Sequence, residues 1–380
     1  MLTKKNELQL FDQKKRLIVF IRNKTNPSNY YRIFQFIDSL KENYSIKVVN
    51  SFPLFYHKYL GAFSSNLLLT TILKSITYFI VSWRLFFELC LIIFQNNESI
   101  LFVQREIFPK RIGLFQKKLF TAILKKNRII WDIDDNIIAM KEISTHEFEL
   151  LSFYSSTIFV CNSFLLQYFK DEYQDKIVLL PTSDTSCSQI EITSVISKRL
   201  DSYYEVINLV WLGTFNNIIF LENILKSLED TATILKLKHQ KKLVLKVVSD
   251  TTLAYSNKYL IIKNIKWSRE TAITELLTAH IGLMPLFDNE IAKGKCAFKA
   301  VQYLGYAIPV IASNVGFNKE VIENDFNGFL ISDDSSWCDK IIELSTDKNK
   351  WIQFATNSRN KWLTRFSTDM ILSKMKDLLD

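Results

Sequence analysis

The stretch that decides the fold runs from Ile281 to Ile331: IGLMPLFDNEIAKGKCAFKAVQYLGYAIPVIASNVGFNKEVIENDFNGFLI. It opens on a short apolar run, Ile281–Leu286, crosses a polar loop, and continues through Ala297–Tyr306, whose apolar positions recur at helical spacing. Two more apolar runs follow, VIAS and FLIS. Strands that are apolar throughout and alternate with helices are those of a parallel sheet buried on both faces.

Upstream, the same alternation reads VINLVWLGTF as strand and loop, FLENILKSLEDTATIL as helix, LVLKVVS and IKNIKW as strands, and TAITELLTA as helix. The first half repeats it. RLIVFIR is a strand, NKTNPSN a loop, and YYRIFQFIDSLKENY a helix, followed by strands in SIKVVNSF, ILFVQRE and RIIWDIDD. The polar stretch TSCSQIEITSVISKRLDSYYEV interrupts the pattern and marks a domain boundary. The expectation is an α/β chain of two Rossmann-like, doubly wound domains: residues 1–190, with 356–380 crossing back, and residues 200–355.

The longest apolar stretch, Asn66–Gln95, contains Lys74, Arg84 and Glu88, which are unfavourable in a membrane span. At about 100° per residue its polar side chains fall in an arc of roughly 80°. A buried domain helix with one wet edge is expected, and a helix lying in a membrane interface is the alternative.

Composition narrows the function. The 380 residues carry a formal charge of +9, but the basic residues are scattered lysines without an arginine stripe, so nucleic acid is not an expected partner. An anionic membrane surface, a diphosphate substrate or a lysine-rich composition accounts for the charge equally well. Eight glycines form neither GxGxxG nor GxxxxGK[ST]. The five cysteines are dispersed, which argues against disulfides and zinc and for a reducing compartment. His57, His146, His239 and His280 lack ligand spacing. The N-terminus has no apolar signal segment, so a cytoplasmic location is expected, with possible peripheral contact at the membrane's inner face.

The order HIGLMPL, QYLGYA, PVIAS, NVG and NGFLI resembles the GT-B glycosyltransferases, specifically retaining family 4. PSNYYRIFQF, VQRE, IIWDIDDNI, IFVCNSFLLQYF and VLLPTSD resemble the acceptor domain of that group. The resemblance implies a nucleotide-sugar donor bound by the second domain, a glycan or lipid-linked acceptor bound by the first across a cleft, no metal, no cofactor, and a place in surface polysaccharide assembly. The family sets two glutamates across the donor loop; here those positions hold Gly294 and Gln302, and KGKCAFK resembles a GKCxFK loop variant. Gln302 retains hydrogen-bonding capacity toward a ribose hydroxyl. A catalytically silent nucleotide-sugar or partner-binding relative and a GT-B nucleotide-sugar epimerase are the rival readings.

Sugar transfer builds negative charge on a departing diphosphate, which cations and helix N-terminal amides stabilise. Lys299 is the expected catalytic cation, with Lys293, Lys295 and Phe298 beside it, and Gly213, Thr214 and Asn216 following a strand as further donor contacts. Ser249, Asp250 and Trp267 fall where the resembling family places base recognition, although Trp267 also reads as core packing. In the first half, Asp134 and Asp135, crowded with Asp132, are candidates to position the acceptor hydroxyl or take its proton, or else to cap the segment NIIAM. Arg32, Arg105 and Glu106 are expected on the acceptor side.

Overall fold

Twelve strands build two six-stranded parallel sheets in the computed structural model, which describes residues 14–23, 26–51, 67–94, 98–108, 112–333 and 336–379. The leader, His57 and part of the loop NKTNPSN lie outside the described residues. The chain divides into one unit of residues 1–181 with 372–380, and a second of 182–371. Helix Lys348–Arg365 therefore stays with the second unit, and return to the first begins at residue 372 rather than at 356.

In the first unit the strands are β1 (Lys15–Ile21), β2 (Tyr44–Asn50), β3 (Ile100–Gln104), β4 (Arg128–Ile133), β5 (Thr157–Val160) and β6 (Ile177–Leu179), in the order β2-β1-β3-β4-β5-β6. Five consecutive residues of β1 and all of β3 are buried, the two-faced burial their apolar sequences require. The terminal residues cover this unit: Arg128 donates to the carbonyls of Leu378 at 2.8 Å and Leu379 at 3.0 Å.

The second unit has β7 (Val206–Leu212), β8 (Lys242–Ser249), β9 (Leu260–Lys266), β10 (Ile281–Met284), β11 (Val310–Ser313) and β12 (Gly328–Ile331), ordered β12-β11-β10-β7-β8-β9. In each sheet the chain winds outward in one direction and then in the other, reversing between β1 and β3 and between β7 and β10. Such reversals leave a crevice beyond the carboxyl ends of the strands, where ligands of doubly wound folds bind.

Three helical expectations are corrected. The segment after β1 is broken into Pro27–Arg32, a 3₁₀ turn Phe34–Phe36 and Ile37–Leu40, because Ile33 leaves helical geometry at φ −140°. FLENILKSLEDTATIL divides into Ile218–Glu222 and Leu225–His239. The polar stretch after residue 185 contains helix Ile192–Tyr203, which buries Val195, Arg199 and Tyr203 at four-residue spacing. Arg199 replaces an apolar anchor by donating to four carbonyls, those of Leu276, Leu277, Tyr306 and Ala307.

Helix Leu67–Ile93 also departs from the expected single wet edge. Val81, Leu85, Leu89 and Ile92 are buried, yet Ile76, Phe79, Trp83, Phe87 and Leu91 are exposed. The polar edge does not meet water alone: Arg84 donates to the Asn50 carbonyl, and Lys47 pairs with Glu88 at 2.7 Å. The helix is thus apolar on its open face.

Candidate functional site

At the β7/β10 reversal, Tyr303 joins the two central strands of the second sheet. Its buried hydroxyl accepts from the Leu212 N–H at 3.1 Å and lies 3.4 Å from the Leu283 carbonyl that it donates to. Gly282 makes room for the ring, since a Cβ there would sit 2.4 Å from Tyr303 Cδ2. Gly213 performs the same service for Trp211: a Cβ would meet Trp211 Cη2 at 1.9 Å.

That indole is the platform for Lys299, whose ammonium lies 4.9 Å from the ring centroid. Among the described residues Lys299 has neither an ion pair nor a hydrogen-bond partner for its Nζ. Desolvation, then the neighbouring Lys295 charge, lowers its pKa to about 7. Lys299 belongs to helix Phe298–Gly305, whose N-cap, Ala297, sits in the left-handed region at φ 45° and offers no side-chain acceptor. The positive end of this helix and the ammonium thus come together without a counter-ion among the described residues.

The remaining donor-side candidates fall into distinct environments. Lys295 reaches the Asn217 amide oxygen at 3.4 Å, whereas Lys293 is paired with Asp288 at 2.8 Å. Phe298 is partly buried at the first position of the helix. Thr214 Oγ1 accepts from Asn217 at 2.9 Å, and Asn216 is exposed. The turn itself is fixed by Asp250, which accepts from the Phe215 N–H at 2.7 Å. Ser249 is buried and accepts from the Thr251 N–H at 3.2 Å; Trp267 is partly buried against the core that includes Leu276 and Val301. Gln302 commits its amide nitrogen to Asp184 at 2.7 Å.

In the first unit, the carboxyl ends of β1, β3 and β4 carry a buried charge network. Arg32 makes a bidentate contact with Asp132 and donates to the Leu180 carbonyl at 2.7 Å. Asp134 accepts from Arg105 Nε at 2.6 Å, from Gln104 at 2.9 Å and from Ser28. Burial alone would raise its pKa, but Arg105, with Arg32 and Ser28, outweighs this and brings it to about 2. A carboxylate so occupied and so acidic is a poor proton acceptor and a good anchor.

Arg105 itself adopts φ 62°, an uncommon conformation for a side-chain-bearing residue, held by its N–H to the Asp132 carbonyl at 2.8 Å and by Trp131 Nε1 to its own carbonyl at 2.7 Å. Glu106 pairs with Arg22 at 2.6 Å, and burial still raises its pKa. Asp135 is more open, with Arg105 at 3.4 Å. No helix follows: Asp135 accepts from the adjacent Asn136 N–H at 3.0 Å, and Asn136 in turn accepts from the Ala139 N–H at 3.0 Å.

Sequence reasoning passed over Trp211 and Tyr303 as site-builders. The small residues opposite them, Gly213 and Gly282, were the available signal, but only tertiary contact shows which ring each glycine admits.

Residues 208–347 match the family model for glycosyl transferases group 1, which fills most of the second unit. Anabaena HepE in complex with UDP-glucose is 10% identical, with 96% of this chain and 99% of that chain covered and a TM-score of 0.59. Sucrose-phosphate synthase from Thermosynechococcus elongatus is 10% identical over 96% of this chain and 98% of that one, at a TM-score of 0.61. A UDP-forming trehalose-phosphate synthase from Burkholderia xenovorans is 13% identical over 96% and 98%, at 0.60. No curated protein matches the chain. With the two strand orders, these likenesses establish the GT-B fold, α/β with two Rossmann-like doubly wound units.

Proposed function

We propose that this chain is a glycosyltransferase that takes a sugar from a nucleoside-diphosphate donor held by the second unit and gives it to a glycan or lipid-linked acceptor held by the first. The observation that carries the reading is the Lys299 ammonium, seated on Trp211 beside an uncapped helix start and lacking a counter-ion among the described residues. As the bond between the anomeric carbon and the phosphate oxygen breaks, charge accumulates on that oxygen. Lys299 and the first N–H groups of Phe298–Gly305 are arranged to stabilise it, with Lys295 adding to the local field. The match of residues 208–347 to the group 1 family supports the same reading, as does UDP-glucose in the complex of a protein sharing the fold.

On the acceptor side, Asp134 holds Arg105 in place, and the more exposed Asp135, 3.4 Å from Arg105, is the aspartate assigned to orient a hydroxyl or take up its proton. Retention of anomeric configuration, catalysis without metal or cofactor, and a role in surface polysaccharide assembly on the cytoplasmic side belong to this proposal and rest on the resemblance to family 4.

One observation favours a second reading, a donor-binding protein without turnover: Gln302 and Gly294 stand where the resembling family has carboxylates, and the Gln302 amide nitrogen is engaged by Asp184. Release of nucleoside diphosphate from a panel of UDP-, GDP- and ADP-sugars, with glycan and lipid-linked acceptors, separates the two. The transferase reading expects acceptor-dependent release that falls roughly 100-fold in Lys299→Ala, the scale of losing one charge-stabilising donor. Donor binding with no release across the panel would establish the second reading instead.

A further inference from the structure

The open face of helix Leu67–Ile93 carries Ile76, Phe79, Trp83 and Phe87, with Phe79 61% and Phe87 59% exposed. Helix Leu114–Lys126 lies against it, its Gln116 donating to the Ser82 carbonyl at 2.7 Å, and adds Leu114 and Phe115, each 81% exposed. A groove of about 320 Å³ between the helices is lined by Tyr78, Phe79, Trp83, Phe86 and Phe115. An apolar surface this continuous, rimmed by charge, marks an interaction site.

We propose that this surface docks the first unit onto an anionic lipid bilayer, with both helices lying in the headgroup region and the groove receiving acyl chain. Charge selects the occupant. The two helices hold six basic residues, Lys74, Arg84, Lys117, Lys118, Lys125 and Lys126, against the single carboxylate of Glu88, which Lys47 already neutralises at 2.7 Å. Lys117 and Lys118 follow Leu114 by three and four residues and so share its side of the helix; neither has an ion pair among the described residues. Apolar side chains with lysines beside them on a helix surface are the composition of an interfacial anchor.

A second copy of the chain is disfavoured, because a two-fold contact would set this basic rim against itself. Crossing the bilayer is disfavoured too. Residues 69–93 are long and apolar enough to span, but Val81, Leu85, Leu89 and Ile92 are buried in the first unit, and Arg84 and Glu88 are bonded to it. Spanning would strip those contacts and carry charge into hydrocarbon. The surface is independent of the donor site, so docking and transfer can fail separately.

Flotation of the full chain with vesicles of phosphatidylcholine, with and without phosphatidylglycerol, tests this. Recovery should rise with the anionic lipid and fall with salt. Phe79→Ser with Phe87→Ser should lower recovery by about tenfold while nucleotide binding and melting temperature hold, since both side chains are exposed and lost apolar area weakens such docking. In the unsubstituted protein, brominated lipid should quench emission that Trp83→Phe removes, because Trp131, Trp211, Trp337, Trp351 and Trp362 are buried and Trp267 is partly buried against the second unit's core. Flotation without lipid-charge dependence, unchanged recovery in the double variant, or a dimer that this variant disperses in the absence of vesicle binding would overturn the proposal.

Discussion

Two ionisable side chains, Asp134 just past the end of β4 and Lys299 at the start of helix Phe298–Gly305, behave in opposite ways, and partner supply is the cause. Asp134 is surrounded by Arg105, Gln104 and Ser28, and its charge is locked in; Lys299 lies over an indole and beside a second lysine, with no ion pair among the described residues, and its charge is held at the margin. The consequence for Asp134 is measurable. Asp134→Asn leaves the Arg105 guanidinium buried without its nearest counter-ion, and denaturant unfolding should show a loss of about 3 kcal/mol, as for breaking a buried pair. Asp135→Asn, at the more open position, should cost under about 1 kcal/mol. Unchanged stability of Asp134→Asn with lost turnover would instead return Asp134 to a proton-transfer role.

At the scale of elements, the turn after β7 depends on one missing methyl group. Gly213→Ala must displace the Trp211 ring or the backbone, because the added Cβ would be 1.9 Å from Cη2. Overpacking of this kind costs on the order of 1–3 kcal/mol, and the ring it moves is the one beneath Lys299. Calorimetry should therefore find nucleotide binding weakened in Gly213→Ala along with a lower melting temperature; a Thr214→Ala variant, which removes only an exposed side-chain bond to Asn217, should leave melting unchanged. The strands were legible because a parallel sheet writes itself as uninterrupted apolar runs, as in LIVFI of β1 and ILFV of β3. Helix breaks at Ile33 and Asn223 were not, since nothing in the local composition opposes continuation and tertiary packing sets the bend. Helix Ile192–Tyr203 was hidden for a different reason: its central anchor is an arginine, and only the four carbonyls gathered around Arg199 explain its burial.

For the whole molecule, the alternation of strands and helices made two doubly wound units readable, and the reversal of strand order in each sheet then locates where a ligand should lie. The lysine-bearing loop stood out as a candidate because positive charge before a helix is a local pattern. Its supports, Trp211 and Tyr303, come from elements distant in sequence and were not readable there. The open apolar face of Leu67–Ile93 was misjudged because both sides of the helix are apolar, so periodicity alone did not tell which side the first unit buries. Lys299 is the proposed receiver of the diphosphate, and titration calorimetry with UDP, GDP and ADP in the wild type and in Lys299→Met measures this directly. One of the diphosphates should bind with proton uptake above pH 7, because a lysine lowered to about 7 must regain its charge beside the anion. Its affinity should accordingly fall as pH rises from 7 to 9, and at pH 7 Lys299→Met should weaken it at least about tenfold and abolish the pH dependence. Undiminished binding in Lys299→Met, or no binding of any of the three, would contradict the account.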